Sequence, residues 1–292
     1  MNRSPRRVLL FGWPVEHSLS PVLQRAAFEA LGLTDWSYEA VGVRPKELAE
    51  RFEEARHAGM LGCNFTIPHK RAALELVDEI EADAVAIGAI NSAARDGAKL
   101  VGFNTDVAGF VGSVSEAELD LIDERVVVLG AGGAARAAVA GAIQCGARAI
   151  GVAARKLEAS EELCEALRKY ASQIGSWVSI EPIPLRDRVE AADAIRGARL
   201  LINGTPLGMD LDDATPVPLE WLDEVGGVFD CIYRADGSST PLIEAARELG
   251  RTAIDGTGML LHQGAAAFER WTGQEAPREA MRSALNGALG RR

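Results

Sequence analysis

Val126-Val127-Val128-Leu129-Gly130-Ala131-Gly132-Gly133-Ala134-Ala135-Arg136-Ala137 is the stretch on which the reading of this chain turns. A compact β-branched run reads as a buried parallel strand, and it breaks into glycines where an alanine-rich helix begins. Gly130 permits the tight turn. Gly132 and Gly133 let the backbone approach a guest closely, and the unpaired amides with the helix dipole favour a pyrophosphate. A dinucleotide is the expected guest, although glycines here would also serve close helix–strand packing alone.

Working outward, the next strand is expected over residues 149–154, and an NAD-binding protein would carry an acid near its end for the ribose 2′-hydroxyl. Ala154-Arg155-Lys156 stands there instead. Two cations favour a 2′-phosphate and therefore NADP(H), although basic residues after a strand also occur as plain surface. The alternation continues with a helix to about residue 172, a strand near 178–180, a helix over 189–196 and a strand over 200–202. That strand ends in Asn203-Gly204-Thr205-Pro206-Leu207-Gly208-Met209, at the carboxyl edge where ligands lie in doubly wound sheets. A strand over 228–233, a helix over 240–250, a short strand over 252–254 and two closing helices complete the chain.

Upstream, residues 8–11 read as a strand followed by Gly12-Trp13-Pro14-Val15-Glu16-His17-Ser18-Leu19-Ser20-Pro21. Pro21 suits a first helical position with Ser20 as its N-cap, and capping alone would explain Ser20. Ser18 places a second hydroxyl beside it, a setting that suits a small carboxylate. Asn64-Phe65-Thr66-Ile67-Pro68-His69-Lys70 reads as a strand end with Thr66 in the turn and Lys70 just inside a helix. There the lysine opposes the helix dipole, and read alone it is an ordinary solvated lysine. Gly88-Ala89-Ile90-Asn91 precedes a hairpin turning on Asp96-Gly97, and Asn104-Thr105-Asp106 opens another helix, with Asp106 as a sufficient local cap.

Composition narrows the class. The 292 residues suit two domains; 48% are hydrophobic and 25% charged, as in an ordinary folded protein. A net charge of −11, with no long basic run against it, speaks against a nucleic-acid partner. The four cysteines are scattered, without disulfide or metal-ligand spacing, which fits a reducing cytoplasm and no metal. The basic start at Arg3, Arg6 and Arg7 leads into an apolar run that stops at Gly12 and Pro14, too short for a signal peptide. No stretch reaches membrane-spanning length, so no membrane partner is expected.

Taken in order, the His17-to-Pro21, Asn64-to-Lys70, Gly88-to-Asn91, Asn104-to-Asp106, Gly130-to-Ala134 and Asn203-to-Met209 signatures resemble those of the shikimate dehydrogenase family over nearly the whole chain. The resemblance implies an α/β fold of two domains: a substrate-binding domain over 1–106 plus 256–292, and a Rossmann-like NADP-binding domain over 107–255. It implies reversible NADP(H)-linked reduction of 3-dehydroshikimate to shikimate, on the route to chorismate and the aromatic amino acids. Lys70 and Asp106 would flank the reacting hydroxyl. Ser18 and Ser20 would hold the carboxylate, with Tyr233 nearby, while Thr66, Asn91 and Gln263 would read ring hydroxyls. Gly130, Ala131, Gly132, Gly133 and Ala134 would take the pyrophosphate and Arg155 and Lys156 the 2′-phosphate. Thr205, Met209 and Gly256 would complete the cofactor side. The family usually has Asn-Arg-Thr where Ala154, Arg155 and Lys156 stand, and glycine where Val107 stands. A quinate-preferring dehydrogenase and a catalytically silent NADP-binding regulator are the rival readings, and either a monomer or a homodimer is compatible.

Overall fold

The computed structural model describes residues 5–291, so Arg3 of the basic start lies outside the described residues. The chain is an α/β protein that divides into two compact units. The first takes the residues up to Thr105, Ala235–Gly237 and the chain from Leu260 onward; the second takes Asp106–Arg234 and Ser238–Met259.

The first unit holds β1 (Arg6–Gly12), α1 (Ser20–Ala30), β2 (Trp36–Gly42), α2 (Leu48–His57), β3 (Gly62–Phe65), β4 (Glu79–Ile80), α3 (Ala82–Ile87), β5 (Ser92–Asp96) and β6 (Lys99–Phe103). Its sheet runs β2-β1-β3-β5-β6-β4, with β1, β2 and β3 parallel and the β5–β6 hairpin antiparallel about Gly97. Phe11, Phe52, Phe65, Met60 and Cys63 pack in its core.

The second unit comprises α4 (Asp106–Glu116), β7 (Arg125–Leu129), α5 (Gly133–Gln144), β8 (Ala149–Ala154), α6 (Leu157–Gln173), β9 (Ser179–Pro184), α7 (Arg188–Ile195), β10 (Leu200–Asn203), β11 (Gly227–Asp230), α8 (Pro241–Glu248) and β12 (Thr252–Ile254). Its sheet order is β12-β11-β10-β7-β8-β9, parallel throughout. The order reverses between β7 and β10, the topological switch point at which doubly wound sheets bind ligands. The long helix α9 (Gly256–Thr272) begins in this unit and continues into the first, and α10 (Arg278–Ala288) belongs wholly to the first.

Two strands differ from expectation. β9 extends to Pro184, beyond the short strand expected near 178–180, because it is an edge strand and its prolines need no partner on the open side. β11 stops at Asp230 rather than running to Tyr233, because the Ile232 amide turns back to the Asp230 carboxylate at 3.0 Å.

At the switch point the backbones nearly touch. A Cβ on Gly204, just past β10, would lie 2.7 Å from Ala135 Cα and 2.9 Å from Ala135 N, in the first turn of α5. A Cβ on Gly132 would meet no atom within 4 Å. Gly204→Ala should therefore cost about 1–3 kcal/mol through overpacking against backbone, while Gly132→Ala should leave stability nearly unchanged. Urea-unfolding midpoints of the two variants measure the difference, and equal midpoints would contradict the packing account.

Candidate active site

The polar side chains of the first unit gather around Asn91. This carboxamide is only 2% exposed, so each unmatched donor or acceptor would cost about 1–3 kcal/mol. Its Nδ2 donates to Thr105 Oγ1 at 2.9 Å and to Gln263 Oε1 at 3.3 Å. Its Oδ1 accepts the Thr105 amide at 2.7 Å and the Ser92 hydroxyl at 3.1 Å. Behind it, Asn64 Nδ2 donates to Ser92 Oγ at 2.7 Å, and the Tyr38 hydroxyl donates to Asn64 Oδ1 at 2.7 Å. A ladder of buried polar groups thus runs from β2 through β3 and β5 to Gln263 on α9. Sequence reading missed Tyr38, Asn64, Ser92 and Thr105 as supports. The available signal was Asn64, a polar residue inside the otherwise apolar strand β3.

The Thr66-to-Lys70 turn is bonded to the same segment on both sides. The Phe65 amide donates to the Asn91 carbonyl at 2.8 Å, and the Ile90 amide donates to the Lys70 carbonyl at 2.9 Å. Lys70 does not open a helix as expected; it lies in a turn, with a 3-10 segment following at Ala72–Glu75. Its carbonyl is taken by Ile90, and the Leu74 amide bonds Arg71 instead. The Lys70 ammonium therefore does not sit in the first turn of an α-helix, where the dipole would oppose it. His69 is buried, its Nε2 donating to the Val43 carbonyl at 2.7 Å; because a carbonyl only accepts, the ring carries its proton on Nε2. Burial lowers its pKa below the ordinary value and keeps it neutral.

Ser20 is not the N-cap of α1. Leu19 holds that position without a side-chain cap bond, and Ser20 is the first helical residue. The Ser18 hydroxyl, one residue before that position, accepts the Ser20 amide at 3.3 Å.

In the second unit Gly130 and Gly204 stand side by side past the ends of β7 and β10, their amides bonded to Ala153 and Leu129. Gly130 has φ +103°, and a Cβ there would meet the Gly204 carbonyl oxygen at 3.0 Å and Thr205 Cγ2 at 3.1 Å. Gly132 caps α5 without a side-chain bond, and Gly133 and Ala134 open its first turn. Open space at Gly132 beside unpaired first-turn amides fits a phosphate group. Arg155 and Lys156 are exposed and follow β8 directly, beside β7. Asp106 opens α4 and is buried; Tyr233 is half-buried; Met209 is 44% exposed. Gly256 lies so close to β11's exit that a Cβ would stand 2.5 Å from the Cys231 carbonyl oxygen.

The loop from Asn203 has its own buried support. Asn203 Nδ2 donates to Asp230 Oδ1 at 2.9 Å, and its Oδ1 accepts the Thr205 amide at 3.0 Å and hydroxyl at 2.7 Å. Thr240 Oγ1 donates to Asp230 Oδ2 at 2.6 Å. Burial pushes the Asp230 carboxyl up to about 6, against the hydrogen bonds from Thr240, the Ile232 amide and Asn203 that pull it down.

An all-parallel six-stranded sheet with a glycine turn at its switch point defines the second unit as a dinucleotide-binding α/β module. Residues 10–93 match the model described as "Shikimate dehydrogenase substrate binding domain", and residues 256–285 match "Shikimate 5'-dehydrogenase C-terminal domain". Shikimate dehydrogenase (NADP(+)) of Geobacter metallireducens is 40% identical over 288 residues, 98% of each chain. The enzyme of the same name from Methanopyrus kandleri is 42% identical over 280 residues, 94% of this chain and 93% of its own. The crystal structure of shikimate 5-dehydrogenase from Thermus thermophilus in complex with NADP(H) and shikimate is 33% identical. It superposes with a TM-score of 0.83, covering 97% of this chain and all of its own. The chain belongs to the shikimate dehydrogenase family. Among the described residues no helix is long and apolar enough to cross a membrane.

Asp230 gives a pH signature. Its folded value near 6 lies above the unfolded 3.8, so between those values the folded chain holds more proton than the unfolded one. The stability involved is fully present below pH 3.8 and is lost as pH rises through 6. Asp230→Asn keeps an acceptor for Asn203 and Ile232 and removes the ionisation. Relative to that variant, the native chain should lose on the order of 3 kcal/mol between pH 4 and 7, read from urea unfolding at each pH. Parallel pH dependence in both proteins would assign the effect to other groups.

Proposed function

We propose that this chain is a shikimate dehydrogenase, reducing 3-dehydroshikimate reversibly to shikimate with NADP(H), in the cytoplasm, as a monomer or homodimer. The observation that carries the reading is the Asn91–Thr105–Gln263 cluster, built on the Ile90–Asn91 segment whose backbone bonds both sides of the Thr66-to-Lys70 turn. It belongs to a chain that NADP(+) shikimate dehydrogenases match nearly end to end.

In this reading Thr66, Asn91 and Gln263 take the ring hydroxyls. The Asn91–Gln263 contact, at 3.3 Å longer than the 2.9 Å contact with Thr105, is the one a substrate hydroxyl takes over. Such a hydroxyl accepts from Asn91 Nδ2 and donates to Gln263 Oε1, so neither group is left unmatched. Ser18 and Ser20 donate to the carboxylate, with Tyr233 as a further hydroxyl. On the cofactor side the Gly130-to-Ala134 amides hold the pyrophosphate and Arg155 and Lys156 the 2′-phosphate. Thr205, Met209 and Gly256 border the nicotinamide. The nicotinamide, when bound, supplies the hydride for ketone reduction and accepts it in the reverse direction. The Lys70 ammonium stabilises the alkoxide that develops on the substrate oxygen and gives it a proton. Asp106 acts on the same hydroxyl as the partner that orients and shares that proton.

The deciding experiment is NADP+ reduction by purified protein with shikimate and quinate in parallel. Shikimate should be the preferred substrate. Quinate carries an additional hydroxyl beside the carboxylate, so preference for it would overturn the assignment at the serine pair, and no turnover with either would remove the dehydrogenase reading.

Two sets of variants probe the residues. Arg155→Ala should raise the KM for NADP more than about tenfold and leave that for NAD nearly unchanged, as loss of a charge-assisted contact requires. Equal damage to both cofactors would count against a 2′-phosphate contact. Lys70→Ala and Asp106→Asn should each lower kcat by about 10²–10⁴-fold with NADP binding intact, and the double variant should be little worse than the poorer single one. Near-normal kcat in folded Lys70→Ala would return this lysine to the solvated surface.

A further inference from the structure

The loop that follows β10 is gripped at the two residues flanking Met209. Arg234, buried in the second unit, donates from Nε to the Gly208 carbonyl at 2.9 Å and from Nη2 to the Asp210 carbonyl at 3.2 Å. Its Nη1 donates to the Ser239 carbonyl at 3.0 Å, tying the grip to the start of α8. From another direction, Asp213 Oδ2 accepts the Gly208 amide at 3.0 Å and the Asp210 amide at 3.1 Å. The amide and the carbonyl of both flanking residues are thus held by side chains of opposite charge.

Met209 between them keeps its side chain outside. The residue is 44% exposed although its amide donates to the Pro206 carbonyl at 3.2 Å. Gly208 holds φ +103°, a conformation L side chains rarely adopt, so the backbone at this point has little freedom to rearrange.

We propose that Arg234 and Asp213 form a clamp that positions Met209 against the nicotinamide end of the bound cofactor, both as positioning residues that touch no reacting atom. The inference rests on the dehydrogenase reading above. Removing a guanidinium from water is costly unless its donors are met, and here they are met by loop carbonyls rather than by a core partner. What that burial fixes is an exposed apex. Loops with few buried apolar contacts open readily, and a residue that borders a hydride-transfer geometry loses its effect when it moves by about an ångström. Clamping both neighbours of Met209 removes that freedom before the cofactor arrives.

The test uses three variants of the full chain. Arg234→Met keeps apolar bulk without the donors, Arg234→Lys keeps the charge but not the fork, and Asp213→Ala removes the shared acceptor from the other side. In cofactor-free protein, hydrogen exchange over residues 204–213 should accelerate about tenfold or more in Arg234→Met and Asp213→Ala, with β10 and β11 unchanged. With shikimate and NADP+, kcat should fall about tenfold or more while the KM for shikimate stays within twofold, Arg234→Lys falling between the native chain and Arg234→Met. Unchanged exchange in the loop, or faster exchange with native kcat, would overturn the clamp and leave the dehydrogenase reading standing. Native protein without shikimate turnover would overturn the dehydrogenase reading itself, and with it the inference.

Discussion

A carboxamide sealed from water must find a partner for every donor and acceptor, and the architecture of the first unit follows from meeting that demand at Asn91. Beyond Ser92 next door, the partners come from far apart in sequence: Thr105 at the end of the unit's first segment, and Gln263 on the returning helix α9. That helix must therefore be held in register on the sheet, and hydrogen bonds and close packing do it together. Trp271 Nε1 donates to the Ala93 carbonyl at 3.0 Å, and its ring lies where any Cβ on Gly62 would collide at 2.4 Å. On the same helix Gly264 accepts from Gln24 at 2.9 Å, and its missing side chain leaves room for Leu23. The C-terminal return is thus part of the proposed substrate-side framework, because Gln263 directly precedes the first of those two anchors on the same helix.

The second unit meets a similar demand at greater electrostatic cost. Asn203 ends β10 with its carboxamide divided between the Asp230 carboxylate and the Thr205 backbone and hydroxyl. Replacing the carboxylate by an apolar residue would remove a desolvation cost but leave Asn203, Thr240 and the Ile232 amide without their acceptor. Retaining a carboxyl here fixes how the chain leaves two adjacent parallel strands. Those exits carry Thr205 and Met209 on one side and Tyr233 and Arg234 on the other, so one buried acid sets the starting direction of both loops.

Local signals were sufficient where the determinant is local. The β-branched run before Gly130 marks β7, the Asp96-Gly97 pair marks the hairpin, and the 149–154 strand coincides with β8. They fell short where a distant group claims a backbone atom. Lys70 looked helical until Ile90 took its carbonyl, and Ser20 looked like a cap until Ser18 received its amide. The supports of the candidate site were less legible still. Tyr38 bonds Asn64 across the sheet, and Arg234 reaches Gly208, and neither pairing leaves a periodicity or spacing in the sequence. Candidate ligand-contacting residues were therefore easier to name than the residues that hold them.

Charge raises a final constraint. The chain carries −11, yet the proposed cofactor and substrate are anions, so long-range attraction cannot bring them in. At physiological ionic strength the Debye length is about 8 Å, which confines most of that repulsion to charges near the approaching ligand. The balance then depends on what lies within that radius. At the end of β8 the nearest side chains in sequence are the exposed Arg155 and Lys156, set at the start of a helix whose first amides also favour an anion. In the first unit the proposed carboxylate site relies on hydroxyl donors, Ser18 and Ser20, which bind an anion by direct hydrogen bonds and exert almost no attraction at a distance. Capture of the cofactor is thus proposed to depend on local cations and capture of the substrate on short-range contacts, so raising salt weakens the first far more than the second.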